Sequence, residues 1–428
     1  MENQFSCLHN DPDAVDAYSG QPLALILADH DSAQLGNLVS HRSKAALPFA
    51  GEYRLIDFAL SNCVHSGIDT VGVITQYQSR SLHDHLAYGR PWDLDRRQGG
   101  LALLHPYQGH SGMQWYSGAA DAIYQNQDFI LRHRTGEVLL LAGDQAYKQD
   151  LNVPLVRHRQ AGADLTVVAT AIEPERAAQY YTLQINELGW VQALLPPGSN
   201  EPGSLALMGI LLFNTDVLNW RLNEDAQDAN STHQFDHDVI PCMIRAGDRV
   251  LAFQYTDYWN CIHTVEDYWQ ASIDLLRDAS PLNLHDTGWP IRTQVQARPP
   301  TRIEIGGHVS HSLISGGCII EGAVEYSILS PGVYVGPGAV VRNSIVMQDV
   351  VIEERALVQN AILDIEATVG QQAQVGIATR HAPTMTAQAP TPITVIEKGA
   401  HIHTGVVVGQ EYPRELVPSR RQARVDAT

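Results

Sequence analysis

The residues that bear most on this chain's chemistry are two carboxylates and an imidazole that directly follow a buried strand, where groups able to hold a phosphate are missing. Leu23-Ala24-Leu25-Ile26-Leu27-Ala28 is a continuous aliphatic run, and Asp29-His30-Asp31-Ser32-Ala33-Gln34-Leu35 comes after it. A loop that cradles phosphates uses glycines, so that backbone N–H groups approach the anion, and cations to neutralise it. Here no glycine, lysine or arginine lies between Ala28 and Gly36. Facing a triphosphate, Asp29 and Asp31 would repel it. Another carboxylate, Asp144, follows a second aliphatic run at 138–142. Other constellations are weaker. Of the 19 histidines, His83 and His85 lie close together on a polar segment, without further ligands at a metal-binding spacing. No local motif supports a Ser/His/Asp or Cys/His arrangement.

Acidic residues at strand ends need a fold that gathers those ends. Between Pro22 and Leu276 apolar runs alternate with helical patterns. The runs 23–28, 70–75, 138–142 and 165–171 are short and uninterrupted, which predicts strands covered on both faces. Residues 151–161 and the stretch after Ser117 have helical spacing. This alternation predicts an α/β domain with a doubly wound, mostly parallel sheet. Such sheets bind ligands outside the carboxyl ends of their strands, where Asp29 and Asp144 fall.

After a proline-rich stretch at 281–300, read as a linker, the periodicity changes. Val335-Gly336, Ile352-Glu353 and Val369-Gly370 recur every 17 residues, with Ala339, Ala356 and Ala373 at matching offsets and Asn343 and Asn360 at the same interval. Val335/Val341, Ile352/Val358 and Val369/Val375 are six apart within each coil. An aliphatic residue every six positions, followed by a small one, predicts a left-handed parallel β-helix. Aliphatics would stack inside the prism and small residues fit its corners. Ile396-Glu397-Lys398-Gly399-Ala400 reads as one more coil after a Pro/Thr-rich excursion at 382–392. The organisation expected is a polar extension 1–20, the α/β domain 21–280, the linker, the β-helix 301–412 and a basic tail 413–428.

With 428 residues the chain has room for two cores. No apolar run approaches the roughly 20 residues of a membrane span. The net charge of −19 argues against a nucleic-acid partner. Five scattered cysteines without a C-x-x-C spacing read as free thiols of a reducing cytoplasm. Arg414, Arg420, Arg421 and Arg424 read as a solvated tail.

A set of longer segments specifies a family. They are Arg42-Ser43-Lys44-Ala45-Ala46-Leu47-Pro48-Phe49, Glu52-Tyr53-Arg54-Leu55-Ile56-Asp57-Phe58-Ala59-Leu60-Ser61-Asn62-Cys63, Gly72-Val73-Ile74-Thr75-Gln76-Tyr77 and Trp115-Tyr116-Ser117-Gly118-Ala119-Ala120-Asp121-Ala122. Leu141-Ala142-Gly143-Asp144, Met208-Gly209-Ile210, Asp238-Val239-Ile240-Pro241 and Trp289-Pro290-Ile291-Arg292-Thr293 continue the series. On these the chain resembles ADP-glucose pyrophosphorylase, glucose-1-phosphate adenylyltransferase. The resemblance implies adenylyl transfer from ATP to glucose 1-phosphate, which rests on positioning and charge neutralisation, with Mg²⁺ holding the phosphates.

Position by position, the resemblance implies a degenerate site. Asp29, His30, Asp31, Ser32 and Gln34 stand where the family carries glycines and arginines. Lys44 remains, either as a phosphate ligand or as a solvated or structural residue. Asp144 matches the metal-binding aspartate. The second metal carboxylate of Tyr-Trp-x-Asp-x-Gly-Thr is Cys261, and the glycine is His263. A thiol is a poor Mg²⁺ ligand; a buried cysteine is favoured there over a Cys261/His263/Asp144 zinc site. Tyr181 replaces the glycine that admits the sugar, Leu195 and Pro196 replace the Glu-Lys that grips it, and Leu207 replaces a serine. Gln76, Trp115, Tyr116, Gly118 and Asp121 match the base pocket, as nucleotide-binding remnants or as packing residues.

Two functions are therefore expected. The first is a catalytically impaired regulatory or structural subunit, in a homo- or hetero-oligomer with an active ADP-glucose pyrophosphorylase and responsive to a nucleotide or sugar-phosphate effector. The second is a working adenylyltransferase with a rebuilt site that uses Mg²⁺. Neither involves nucleic acid or a membrane, and both place the chain in the cytoplasm.

Overall fold

The computed structural model describes residues 21–28, 33–106, 108–109, 112–113, 115–199, 203–277, 280–376 and 393–409. The loop residues Asp29, His30, Asp31 and Ser32 lie outside them, as do the extension 1–20, the excursion 382–392 and the tail 413–428.

Strand Leu23–Leu27 pairs in parallel with Thr70–Ile74 on one side and with Glu137–Ala142 on the other. Gly100–Leu104 extends this parallel half beyond Thr70–Ile74. The long strand Leu205–Asn214 runs antiparallel to Glu137–Ala142 and opens a mixed half. It also pairs with Leu165–Ala171 and Thr182–Ile185, and the sheet has nine strands. Strand alternation sends successive side chains to opposite faces. Leu23, Leu25 and Leu27 enter one core with Ala120 and Ile123 of the helix Ala119–Gln125. Ala24 and Ile26 enter the other with Ile56 and Leu60 of the helix Ile56–His65. Both faces are covered, which is why these strands read as unbroken aliphatic runs.

Among the described residues the second domain is a parallel β-helix of three sheets, with six, six and five strands. Val335, Ile352 and Val369 stack in register at the interval seen in the sequence, as do Val341, Val358 and Val375. Ala339, Ala356 and Ala373 are buried in turns whose N–H groups donate to Gly336, Glu353 and Gly370 carbonyls at 3.1, 3.2 and 3.1 Å. Asn343 and Asn360 repeat because their φ values are 46° and 50°. Asparagine tolerates that left-handed conformation better than most side chains. The coil at Thr394–Ile396 pairs with Ala361–Leu363, so the β-helix resumes in register after the excursion.

A shared core joins the two units. Leu35, Leu38, Phe49 and Ile262 pack with Ile345, Met347 and Ile362 of the β-helix. Arg42 Nη2 sits 2.7 Å from Asp364 Oδ1, the side chains being 3% and 1% exposed. Trp269 Nε1 donates to the Asn343 carbonyl at 3.1 Å. Residues 281–300 carry no helix or strand, yet they are anchored. Leu282 and Ile291 are buried in the shared core, and Trp289 Nε1 donates to Asn62 Oδ1 at 2.9 Å.

Candidate active site

The strand Glu137–Ala142 ends at Gly143, whose N–H donates to the Leu27 carbonyl at 2.9 Å. A Cβ at Gly143 would lie 2.9 Å from Ile26 Cγ2 and 3.0 Å from the Leu27 oxygen. The absence of a side chain lets this turn press against the neighbouring strand and deliver Asp144 to the cleft. Lys44 arrives from the opposite wall, on the 3-10 turn Lys44–Ala46. Its Nζ lies 2.7 Å from Asp144 Oδ2, with the side chains 7% and 10% exposed. Burial works against the ammonium, but the Asp144 carboxylate and the other nearby acidic groups outweigh it, and the Lys44 pKa is displaced upward. Lys44 is thus a cation at neutral pH with its partner already in place.

Strand Trp259–Cys261 pairs antiparallel with Gln145–Tyr147, setting Cys261 opposite Gln145. Gln145 Nε2 donates to Cys261 Sγ at 3.8 Å, and Trp259 Nε1 donates to Gln145 Oε1 at 2.9 Å. Burial pushes the Cys261 thiol up to about 12, so it is neutral at physiological pH. Cys63, Cys242, Cys261 and Cys318 are all free thiols.

These residues do not fit the Mg²⁺ that the resemblance implies. Mg²⁺ takes carboxylate and water oxygens, whereas the one matching carboxylate is ion-paired and its partner position is a neutral thiol. Zinc fares no better. It uses three or four Cys, His or carboxylate ligands, and among the described residues no such group of three is arranged to hold a metal.

A cavity of about 320 Å³ opens over the Lys44–Asp144 pair. Tyr181, Leu207, Leu211, Leu140 and Phe235 make much of its wall, with Asp236 at the side. Leu207 N–H donates to the Tyr181 carbonyl at 2.9 Å, so these two replacements are locked together. Tyr180 also lines the cavity, packed in a small buried cluster with Ala206 and Cys261, its ring 5.3 Å from that of Trp259. Leu195 ends the strand Val191–Leu195 opposite Thr182. Pro196 is exposed, its carbonyl accepting from Ser199 Oγ at 2.6 Å, and Pro197 reaches the cavity wall instead. Gln34 is exposed on the 3-10 segment Ala33–Val39. Among the described residues that line this cavity the one lysine is already ion-paired, so a phosphate placed there would lose its hydration without an unpaired lysine or arginine to replace it.

The residues matching the base pocket form a braced turn. Tyr116 N–H donates to Gln76 Oε1 at 2.6 Å, and Gln76 Nε2 donates to the Tyr116 carbonyl at 3.5 Å. Asp121 Oδ2 accepts from Ser117 N–H and Gln125 Nε2, both at 2.9 Å. The Gln76 amide and the Asp121 carboxylate thus hold backbone and a neighbouring side chain. Trp115 stacks on Tyr77 with centroids 5.1 Å apart, both rings about half exposed, which leaves a flat aromatic surface. Gly118 begins the helix Ala119–Gln125 under the carbonyls of Thr232 and His233, where a Cβ would overlap both oxygens. Gly118→Ala is expected to cost about 1–3 kcal/mol, read from the midpoint of urea unfolding; an unchanged midpoint would count against this packing.

His83 and His85 diverge despite their spacing, because residues two apart on a helix do not share a face. His85 Nε2 lies 2.6 Å from Asp57 Oδ1, whereas His83 faces the His105 ring at 4.7 Å. Gln145 and Asp236 were missed from the sequence. Both lie beside segments that carried the resemblance, directly after Asp144 and two residues before Asp238, and that adjacency was the available signal.

Comparison with known proteins gives the same family. The nucleotidyl transferase family matches residues 23–278, and a GlmU-like C-terminal hexapeptide family matches residues 300–396. A glucose-1-phosphate adenylyltransferase of Thermomicrobium roseum is 41% identical over 419 residues, covering 94% of this chain and 98% of its own. One from Desulforamulus reducens is 34% identical, covering 91% and 96%. One from Halalkalibacterium halodurans is 41% identical, covering 73% and 82%. With the nucleotidyltransferase sheet, the β-helix behind it and this likeness along nearly its whole length, the chain belongs to the ADP-glucose pyrophosphorylase, or glucose-1-phosphate adenylyltransferase, family.

Proposed function

We propose that this chain is a catalytically impaired subunit of ADP-glucose pyrophosphorylase. It acts in the cytoplasm as a regulatory or structural partner of an active subunit in glycogen-type α-glucan synthesis. The observation that carries this reading is the largely apolar cavity, walled by Tyr181 and Leu207, with the neutral thiol of Cys261 at the second metal position. The cation that remains is committed to the carboxylate that remains. Tyr181 and Leu207 fill the side where a sugar phosphate would need polar partners. Mg²⁺ then has a role in catalysis only through the active partner.

An oligomer follows from the same reading, because an inactive subunit affects synthesis only through the partner it binds. The β-helix suits that role: among the described residues its sheets begin at Arg302–Ile303 and reach Val407–Val408, and Ile303 and Ile305 are exposed. For a nucleotide or sugar-phosphate effector the candidate is the second cleft, about 300 Å³ between the two domains. Arg54 and Arg298 line it, although Arg54 donates to the Ala46 and Ser81 carbonyls and Arg298 to Asp349.

The purified chain is expected to form no ADP-glucose above background from ATP, glucose 1-phosphate and Mg²⁺. Mixed with an active paralogue, it should co-elute with it and change its rate or effector response. Robust turnover by the chain alone would overturn this reading and leave a working adenylyltransferase with a rebuilt site.

A further inference from the structure

We propose that the cavity walled by Tyr181 and Leu207 is a binding site for an uncharged aromatic compound of one or two rings. The inference rests on the reading of this site as one that has lost its phosphate-binding groups, and it does not depend on the partner role. Leu140, Leu207 and Leu211 line the cavity together with the rings of Phe235 and Tyr181. Such a surface gains from covering a ring, because apolar area leaves water on both sides of the contact. Small-molecule pockets run from about 300 to 1,000 Å³. At about 320 Å³ this one lies at the lower end, which limits the size of its occupant.

Charge decides against an anion. Among the described residues that line the cavity are two carboxylates, Asp144 and Asp236, and one lysine, Lys44, which already lies 2.7 Å from Asp144 Oδ2. Burial, with the charges of Asp236 and Asp238, displaces the Tyr181 phenol upward, so negative potential reaches the wall and the hydroxyl stays protonated. Leu27, also a lining residue, is followed in the sequence by Asp29 and Asp31. A phosphate would meet this field as it left water. A cation would be drawn by the carboxylates but would give up its hydration against leucine. A neutral ring pays neither cost. The Gln179 and Gln234 amides line the cavity too, and an amide can both donate to and accept from a hydroxyl on such a ring.

The test titrates the full chain by calorimetry with 2-naphthol, which is neutral at neutral pH, and with 2-naphthyl phosphate. 2-Naphthol should fill one saturable site per chain. Adding a phosphate to the same ring should weaken binding at least about 100-fold. 2-Naphthylmethylammonium should also bind more weakly than 2-naphthol. Leu207→Trp fills the cavity without changing its charge and should abolish the 2-naphthol site. Leu207→Arg puts a guanidinium on the same wall and should turn the preference toward the phosphate.

A wild-type chain with no saturable 2-naphthol site would overturn the inference, and so would a charged analogue that bound as tightly as 2-naphthol. Neither result depends on a variant. A 2-naphthol site that survived in a Leu207→Trp chain with the wild-type circular dichroism spectrum would lie elsewhere, and would overturn it as well. ADP-glucose formation is measured separately. Turnover by the wild-type chain would defeat the functional proposal, whereas a failed titration of an inactive chain would remove this inference alone.

Discussion

Replacing Arg42 by methionine is expected to lower the unfolding free energy by about 3–5 kcal/mol, the usual cost of removing one partner from a buried ion pair. Arg42 lies on the nucleotidyltransferase side of the junction, and Asp364 follows the β-helix strand Ala361–Leu363. Without the guanidinium, Asp364 would keep a buried charge with the Ile365 N–H, at 2.6 Å, as its remaining donor. Its Oδ2 already lacks a hydrogen-bond partner. Arg42→Met together with Asp364→Leu should recover most of the loss, since replacing both charges removes the desolvation penalty along with the attraction. Urea unfolding of the two variants measures this, and a second transition in Arg42→Met would show the domains uncoupling. A loss below about 1 kcal/mol, the range of exposed pairs, would mean that the shared apolar core alone holds the junction. Lys44 stands two residues after Arg42, so the junction and the cleft are braced by one short segment.

The sequence predicts the parts of this molecule that repeat or alternate. The coils were legible because stacking in register forces the same residue type into the same place every turn. The strands were legible because a sheet covered on both faces admits few polar residues. The replacements at Tyr181, Leu207 and Cys261 were legible only against the motifs of the family that the chain resembles. What the sequence did not reveal is pairing across distance. Lys44 and Asp144 could each be placed in a motif, but spacing along the chain does not show that one neutralises the other. Arg42 and Asp364 are 322 residues apart, and each looks like an ordinary surface charge until the fold brings them together. The anchoring of 281–300 was hidden for the same reason. Its holding groups, Leu282, Trp289 and Ile291, are scattered among prolines, and their partners lie in other elements.

Adenylyl transfer is expected only when several losses are reversed together. Cys261→Asp alone should yield no detectable ADP-glucose, because it adds a carboxylate to a cleft where Lys44 is already paired and the preceding loop is acidic. Restoring the glycine and arginine pattern across 29–34 supplies backbone donors and cations for the triphosphate. Pro196→Lys offers an ammonium for the sugar phosphate, from an exposed position beside the cavity wall. Neither change clears the space taken by the Tyr181 ring, so Tyr181→Gly belongs in the set. Each preorganised donor aimed at developing charge is worth about 100- to 1,000-fold in rate. Groups that act on one transition state are strongly non-additive, so a single restored group contributes almost nothing while the others are missing. The combined variant should therefore show turnover where each single variant shows none, measured as pyrophosphate release that depends on both ATP and glucose 1-phosphate. If Cys261→Asp alone matched the combined variant, the acidic loop and the filled cavity would be incidental, and the second metal carboxylate would be the only thing this chain had lost.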